Sequence, residues 1–360
     1  MINQIFFFIY YIIIIILTLI PVILSVAFYV LFERKIIGTI QRRTGPLNIG
    51  LFGSLQTFAD AFKSLSKEII IPFKSNFFLF LISPIFSFFI SLFSWIVIPF
   101  NYHNFFIDFN YSALLLFVIN SFGVYSIILP GLSLNSKYTL LGSFRGLVQF
   151  ISYEIILSFI FLFIILITSS LSLLEIVFYQ QLNISLFIPL FPVFIIFFIS
   201  ILAETNRSPF DLPEAESELV SGYSTEYSAI TYVFFFLAEY SNMILWSFIL
   251  VFFFLGGWII PFFCYIKYFF FFVSKLYFFK YNLIFFYLKF LFIINFLYNF
   301  SIIFFIIKVL IINFFFVLVR STFPRYRFDM LLYISWKSFL PFLIGYFIFI
   351  YSFLILINLN

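Results

Sequence analysis

The chain has 360 residues, 65% of them hydrophobic and only 9% charged, with a net charge of +5. A soluble globular domain is closer to half apolar and a quarter charged, so no soluble fold of this size could hide that apolar surface. One cysteine (Cys264) and one histidine (His103) exclude an iron–sulfur cluster, a four-ligand structural zinc and a bis-histidine haem within this chain.

The chain opens on Met1–Phe32, a run without charge. It lacks a basic n-region and a small-residue cleavage site, and it is too long for a signal peptide, so it reads as a retained first helix. Ser75–Ile107 and Phe109–Ser136 are also free of Asp, Glu, Lys and Arg, and each is long enough to span a bilayer. The pattern predicts an all-α polytopic membrane protein in a single transmembrane domain. Its eight spans fall at about 5–31, 77–100, 111–130, 146–170, 186–203, 228–255, 297–319 and 335–357. Segment 256–296, rich in Phe, Tyr and Lys, is read as a divergent extension without an assigned role, either a short span or an interfacial helix. His103 reads as an interfacial residue in a short polar connection. The 67 phenylalanines are the bias of an AT-rich genome and point to an organelle-encoded chain.

The connections alternate between two sides. Segments 32–76, 131–145, 204–227 and 320–334 together carry 13 Lys and Arg; the opposite connections carry four, all in 256–296. That asymmetry puts both termini on the charge-poor side and the long loops on the cytoplasmic or matrix side.

The charge is concentrated. Seven of the 14 acids lie between Glu204 and Glu239: Glu204, Asp211, Glu214, Glu216, Glu218, Glu226 and Glu239. Seven of the 19 bases lie between Arg34 and Lys74. The acidic stretch interleaves its carboxylates with Pro209, Phe210, Leu212 and Pro213, which a merely solvated loop rarely needs. Glu214 and Glu218 are four apart and would share a helix face, where like charges repel. Glu239 and Glu154 fall inside predicted spans, and an ionised residue at mid-bilayer costs at least about 2.5–3.5 kcal/mol on insertion scales. Lys308 is comparable, and either an ion pair with one of these acids or a chain of proton-accepting groups fits the pattern. Arg320, Arg325 and Arg327, with Asp329, sit beside the bilayer, where they could meet lipid headgroups, the acidic loop or an anionic partner.

Four stretches carry a family resemblance. The first is Glu33-Arg34-Lys35 through Gln41-Arg42-Arg43-Thr44-Gly45-Pro46, with Gln56 through Lys63 and Lys67-Glu68. The second is Ser152-Tyr153-Glu154. The third and most specific is Ala203-Glu204-Thr205-Asn206-Arg207-Ser208-Pro209-Phe210-Asp211-Leu212, with Glu214, Glu216 through Gly222, Glu226-Tyr227 and Glu239-Tyr240. The fourth is Arg320, Pro324 through Asp329, Trp336-Lys337 and Leu340-Pro341. In this order they resemble the subunit 1 family of NADH:ubiquinone oxidoreductase, a membrane subunit of respiratory complex I. Pro213, Ala215, Leu47, Phe328 and Met330 depart from the family pattern, and Tyr223-Ser224-Thr225 stands for a Phe-Asn-Val type triplet; none of these removes a charge.

The resemblance implies eight tilted helices, several of which frame a ubiquinone tunnel. It assigns Glu33, Arg34, Asp60, Lys63, Phe210, Arg320 and Arg325 to that tunnel. It assigns Glu154, Glu204, Asp211, Glu214, Glu216, Glu218, Glu226 and Glu239 to proton coupling, with Arg207, Lys308, Arg327 and Asp329 in support. Ubiquinone would be a substrate, while FMN and the iron–sulfur clusters would sit in partner subunits. Those partners would be the hydrophilic quinone-site subunits and the antiporter-like membrane subunits, with membrane lipids around them and no nucleic acid. The setting implied is the mitochondrial inner membrane. A hydrogenase-type relative without quinone, and a stand-alone channel with an acidic vestibule, are the competing readings.

Overall fold

The computed structural model describes residues 2–100, 110–213, 220–258 and 301–359. Glu214, Glu216, Glu218 and His103 lie outside the described residues, as does all of the 256–296 segment beyond Trp258.

The described residues form helices joined by turns: α1 (Ile2–Ile40), α2 (Gln56–Leu65), α3 (Phe77–Trp95), α4 (Ser112–Ser133), α5 (Lys137–Thr168), α6 (Leu173–Leu182), α7 (Phe191–Glu204), α8 (Ala229–Phe254), α9 (Ser301–Thr322), α10 (Phe328–Tyr333) and α11 (Leu340–Leu359). A π-helical turn, Ile334–Phe339, joins α10 to α11. Among the described residues seven stretches are long and apolar enough to cross a membrane, the last running through α10 and α11 from Phe328 to Leu356. The chain is therefore an all-α polytopic membrane protein. The span expected at 186–203 is the shorter apolar α7, preceded by turns over Leu186–Leu190.

Helix ends follow local chemistry. α5 starts nine residues before the expected 146 because Ser136 caps it, its side chain accepting from the Thr139 amide at 3.3 Å. Ser172 caps α6 in the same way through the Glu175 amide at 3.1 Å. α7 closes in a Schellman turn: Asn206 takes φ +50°, the Asn206 amide reaches Ala203 O at 3.3 Å, and the Arg207 amide reaches Leu202 O at 3.1 Å. α1 runs past the expected end at 31, so Glu33, Arg34 and Lys35 lie on its last turns.

α8 is the central helix. It packs against α1, α3, α6, α7 and α9 and contacts the amphipathic α2. It is mostly apolar, with Glu239 its one acidic residue, and 61% of an apolar 18-residue stretch of it is buried within the chain, against 6% for Phe328–Leu356. Phe252, Phe253 and Phe254 lie in the core at its charge-poor end. α3 approaches α4 and α8 along a buried line of serines, Ser83, Ser87, Ser91 and Ser94. Each hydroxyl donates to the carbonyl three residues back, so these small polar residues are satisfied within their own helix. Gly142 of α5 admits the 3₁₀ turn Gly222–Ser224; a Cβ there would lie 2.9 Å from Gly222 Cα.

Candidate functional site

The chemistry gathers where α7 ends, at the turn that follows it. The Schellman geometry leaves Glu204 on the last turn of α7 and turns Arg207 back toward α1 and α8. Gln149 of α5 fixes this turn from the side, its amide donating to Ala203 O at 2.8 Å and Phe210 O at 2.7 Å. Phe210 is buried, with its ring 5.9 Å from Tyr153 and stacked 5.3 Å from Tyr326. The Tyr326 amide donates to Pro209 O at 3.0 Å, so the arginine-bearing segment after α9 is laid directly on the acidic loop.

Four side chains converge at the rim of the bundle. Glu33 is 3% exposed. Its Oε1 accepts from Arg207 Nη1 at 3.3 Å and from Arg320 Nη1, and its Oε2 accepts from the Tyr240 hydroxyl at 2.5 Å. The Arg207 guanidinium also lies 4.0 Å from the centroid of the Tyr240 ring. Burial alone would push Arg207 toward its neutral form; the facing Tyr240 and Glu33 outweigh that and hold its pKa above the usual value. Three hydrogen bonds to one buried carboxylate meet the conditions under which a buried charge is tolerated.

A cavity of about 290 Å³ opens beside this cluster, walled by Arg207, Asp211, Glu239, Tyr240, Arg320 and Arg325 among others. Arg325 Nη2 donates to Asp211 Oδ2 at 3.2 Å across its mouth. A second, smaller cavity of about 50 Å³ lies deeper, walled by Ser87, Ser126, Glu204, Asn206, Tyr223, Glu239 and Asn242. Glu204 is 5% exposed, and its Oε2 meets no protein donor among the described residues. Glu154, half-buried on α5, is close enough to act electrostatically on Glu204. Glu239 walls both cavities, and Tyr223 donates to its Oε1 at 2.8 Å.

The structure thus brings Glu33, Arg207, Asp211, Glu239, Arg320 and Arg325 into one region, with Glu204 and Glu154 next to it. Arg34 instead pairs with Asp60 of α2 at 2.6 Å, both side chains being about half exposed at 46% and 40%. That pair clasps α2 to the end of α1, and within α2 Gln56 Nε2 donates to Asp60 Oδ1 at 3.1 Å. Lys63 is exposed one turn further along α2; Glu226, Arg327 and Asp329 are exposed as well. The intramembrane Lys308 donates to Leu255 O at 2.7 Å and Gly257 O at 3.0 Å, capping the C-terminal end of α8 rather than standing as a bare charge. Tyr240, Tyr223 and Gln149 were not among the residues expected from the sequence. The one local signal was that Tyr240 follows Glu239. Among the described residues no group of three His, Cys, Asp or Glu side chains could hold a metal ion.

Comparison with known proteins gives a consistent picture. A family described as NADH dehydrogenase matches residues 13–351. The chain is similar to NADH-ubiquinone oxidoreductase chain 1 of Cyanidium caldarium, at 44% identity over 323 residues, covering 90% of this chain and 85% of the relative. It is similar to the protein of the same description from Arabidopsis thaliana, at 43% identity over 327 residues and 90% of each chain. Bacterial proteins also match: a subunit of the NADH-quinone oxidoreductase of Rhodospirillum rubrum is 42% identical over 323 residues, 90% of this chain and 87% of that one.

Proposed function

Because the chain belongs to the NADH dehydrogenase family, which holds chain 1 of the algal and plant enzymes and its bacterial counterpart, we propose that it forms the quinone path of a proton-pumping NADH:quinone oxidoreductase and couples quinone reduction to proton movement. The observation that carries this reading is the 290 Å³ cavity. It has the two kinds of residue on one wall: Arg320 and Arg325, assigned to quinone passage, and Asp211 and Glu239, assigned to coupling.

In this reading the quinone headgroup leaves the bilayer past the α1–α2 clasp and the Glu33–Arg207–Arg320 cluster toward hydrophilic partner subunits, which hold FMN and the iron–sulfur clusters. Quinol formation draws in two protons. The carboxylates from Glu204 to Glu226, including Asp211, Glu214, Glu216 and Glu218, respond, and Glu239 and Glu154 pass the change toward antiporter-like membrane subunits. The charge-rich segments 32–76, 204–227 and 320–334 face the matrix, and the subunit resides in the mitochondrial inner membrane; the phenylalanine bias and the algal and plant relatives support that setting. A hydrogenase-type complex would keep the acidic loop but has no use for a quinone path.

The test separates this chain's step from the steps in its partners. Glu204→Gln or Asp211→Asn should lower NADH:quinone turnover of the assembled complex well below its NADH oxidation by a hydrophilic artificial acceptor. Equal loss in the two assays would remove this chain from the quinone step.

A further inference from the structure

Glu239 occupies an unusual position. It is the titratable side chain that walls both cavities, the larger one with Arg207, Asp211, Tyr240, Arg320 and Arg325 and the smaller one with Glu204. A carboxyl group on a shared wall can exchange protons with either side, and its rotamer decides which. Of these two cavities, Tyr223 walls the smaller. It is 3% exposed, and its hydroxyl donates to Glu239 Oε1 at 2.8 Å. The phenol is held in place from three directions. Its ring meets Phe235 edge-on at 5.7 Å, the 3₁₀ turn Gly222–Ser224 carries its backbone, and Gly142 of α5 lets that turn sit directly on the helix. A Phe at this position, as in the Phe-Asn-Val type triplet, would keep the ring and lose the bond.

We propose that Tyr223 is a positioning residue for Glu239, latching its carboxyl toward the Glu204 cavity and away from the Arg320 cavity. The inference rests on the coupling reading for its consequence, although the latch itself stands on geometry. The phenol keeps its own proton and engages Oε1 as donor. Held at Oε1, the carboxyl keeps the rotamer in which it walls the smaller cavity. The smaller cavity, at about 50 Å³ with the Asn242, Asn206 and Ser126 side chains on its wall, has the room and polar partners a bridging water requires. A proton on Glu239 therefore has a route across that cavity to Glu204, whose Oε2 meets no protein donor among the described residues. With the latch released, the same carboxyl can turn to the guanidinium-lined side, and the two cavities are no longer kept distinct.

The test uses the whole assembled complex, normalised to artificial-acceptor activity so that loss of assembly is separated from loss of coupling. Tyr223→Phe should lower protons moved per electron and reduce NADH:quinone turnover by about tenfold, the worth of one hydrogen bond to an ionisable group. In a Glu239→Gln background Tyr223→Phe should have no further effect, because the latch has lost its load. Tyr227→Phe serves as a control: the hydroxyl of that tyrosine bonds to Ser83 at 2.8 Å and Ser133 at 3.0 Å, and its effect should add to Glu239→Gln. The infrared band of the Glu239 carboxyl, identified by its loss in Glu239→Gln, should move in Tyr223→Phe whatever the activities do. A normal turnover and an unmoved band in Tyr223→Phe, with Glu239→Gln impaired, overturn the latch alone. A fully active Glu239→Gln overturns the coupling reading, and the infrared band then decides whether the latch exists.

Discussion

Glu33→Gln isolates the buried charge cluster. The substitution keeps size and shape, and the new amide can still accept from Tyr240. What it removes is the one negative charge between Arg207, whose side chain is 9% exposed, and Arg320, at 39%. Breaking a buried pair by removing one partner costs about 3–5 kcal/mol, because the other charge stays buried without compensation. Arg320 can relax toward solvent, so its share is discounted and the lower figure, about 3 kcal/mol, applies. Expressed in the quinone reaction, that is a fall of about 100-fold in kcat/KM. Arg34→Ala breaks an ion pair whose side chains are 46% and 40% exposed, and such pairs contribute about 0–1 kcal/mol; loss of the pair itself explains less than about fivefold, and a larger fall reports contact of Arg34 with the quinone. Both variants are assayed as NADH:quinone turnover against oxidation of NADH by an artificial acceptor in the same preparation. If Glu33→Gln keeps more than about a fifth of wild-type kcat/KM, the reasoning from burial is refuted.

Two further substitutions probe the scaffold around the site. Gly142→Ala puts a methyl 2.9 Å from Gly222 Cα, and since backbone cannot yield as a side chain would, the Gly222–Ser224 turn should shift at a cost of about 1–3 kcal/mol; the check is thermal stability of the complex and its quinone turnover, both unchanged if the contact is slack. Lys308→Met leaves the carbonyls of Leu255 and Gly257 without their charged donor, which should loosen the end of α8 by about 1–3 kcal/mol; faster amide hydrogen exchange over residues 250–258 would report it, and unaltered exchange would show that the cap contributes nothing.

The sequence carried the membrane class, the spans and the acidic loop because each is a local property: an unbroken apolar run, or a cluster of charges in consecutive residues. Local cues were also present where the reading fell short. Ser172-Leu173-Leu174-Glu175 has the capping-box spacing that opens α6, and Ser136 with Thr139 announces the early start of α5. The site itself was legible as a list of charged residues and not as an arrangement. That Glu33 would gather Arg207, Tyr240 and Arg320, while its neighbour Arg34 turned to Asp60, depends on which face of α1 meets α8 and α9. A helix apolar on all sides does not reveal that. Lys308 shows the same gap: its charge was conspicuous, but it donates to the main-chain carbonyls of Leu255 and Gly257, which leave no mark in the sequence.

The hydrogen bonds of Glu33 join residues 174, 207 and 287 positions apart. During synthesis this glutamate emerges at the end of the first helix, and none of its three partners yet exists. The carboxylate must wait at the membrane surface until α8 and finally α9 have been inserted, and only then can it withdraw from water. A chain stopped before Arg320 would keep every earlier span and still leave this site half assembled. The charge that begins the cluster is thus buried only by elements that enter the chain much later, the turn after α7, α8 and α9.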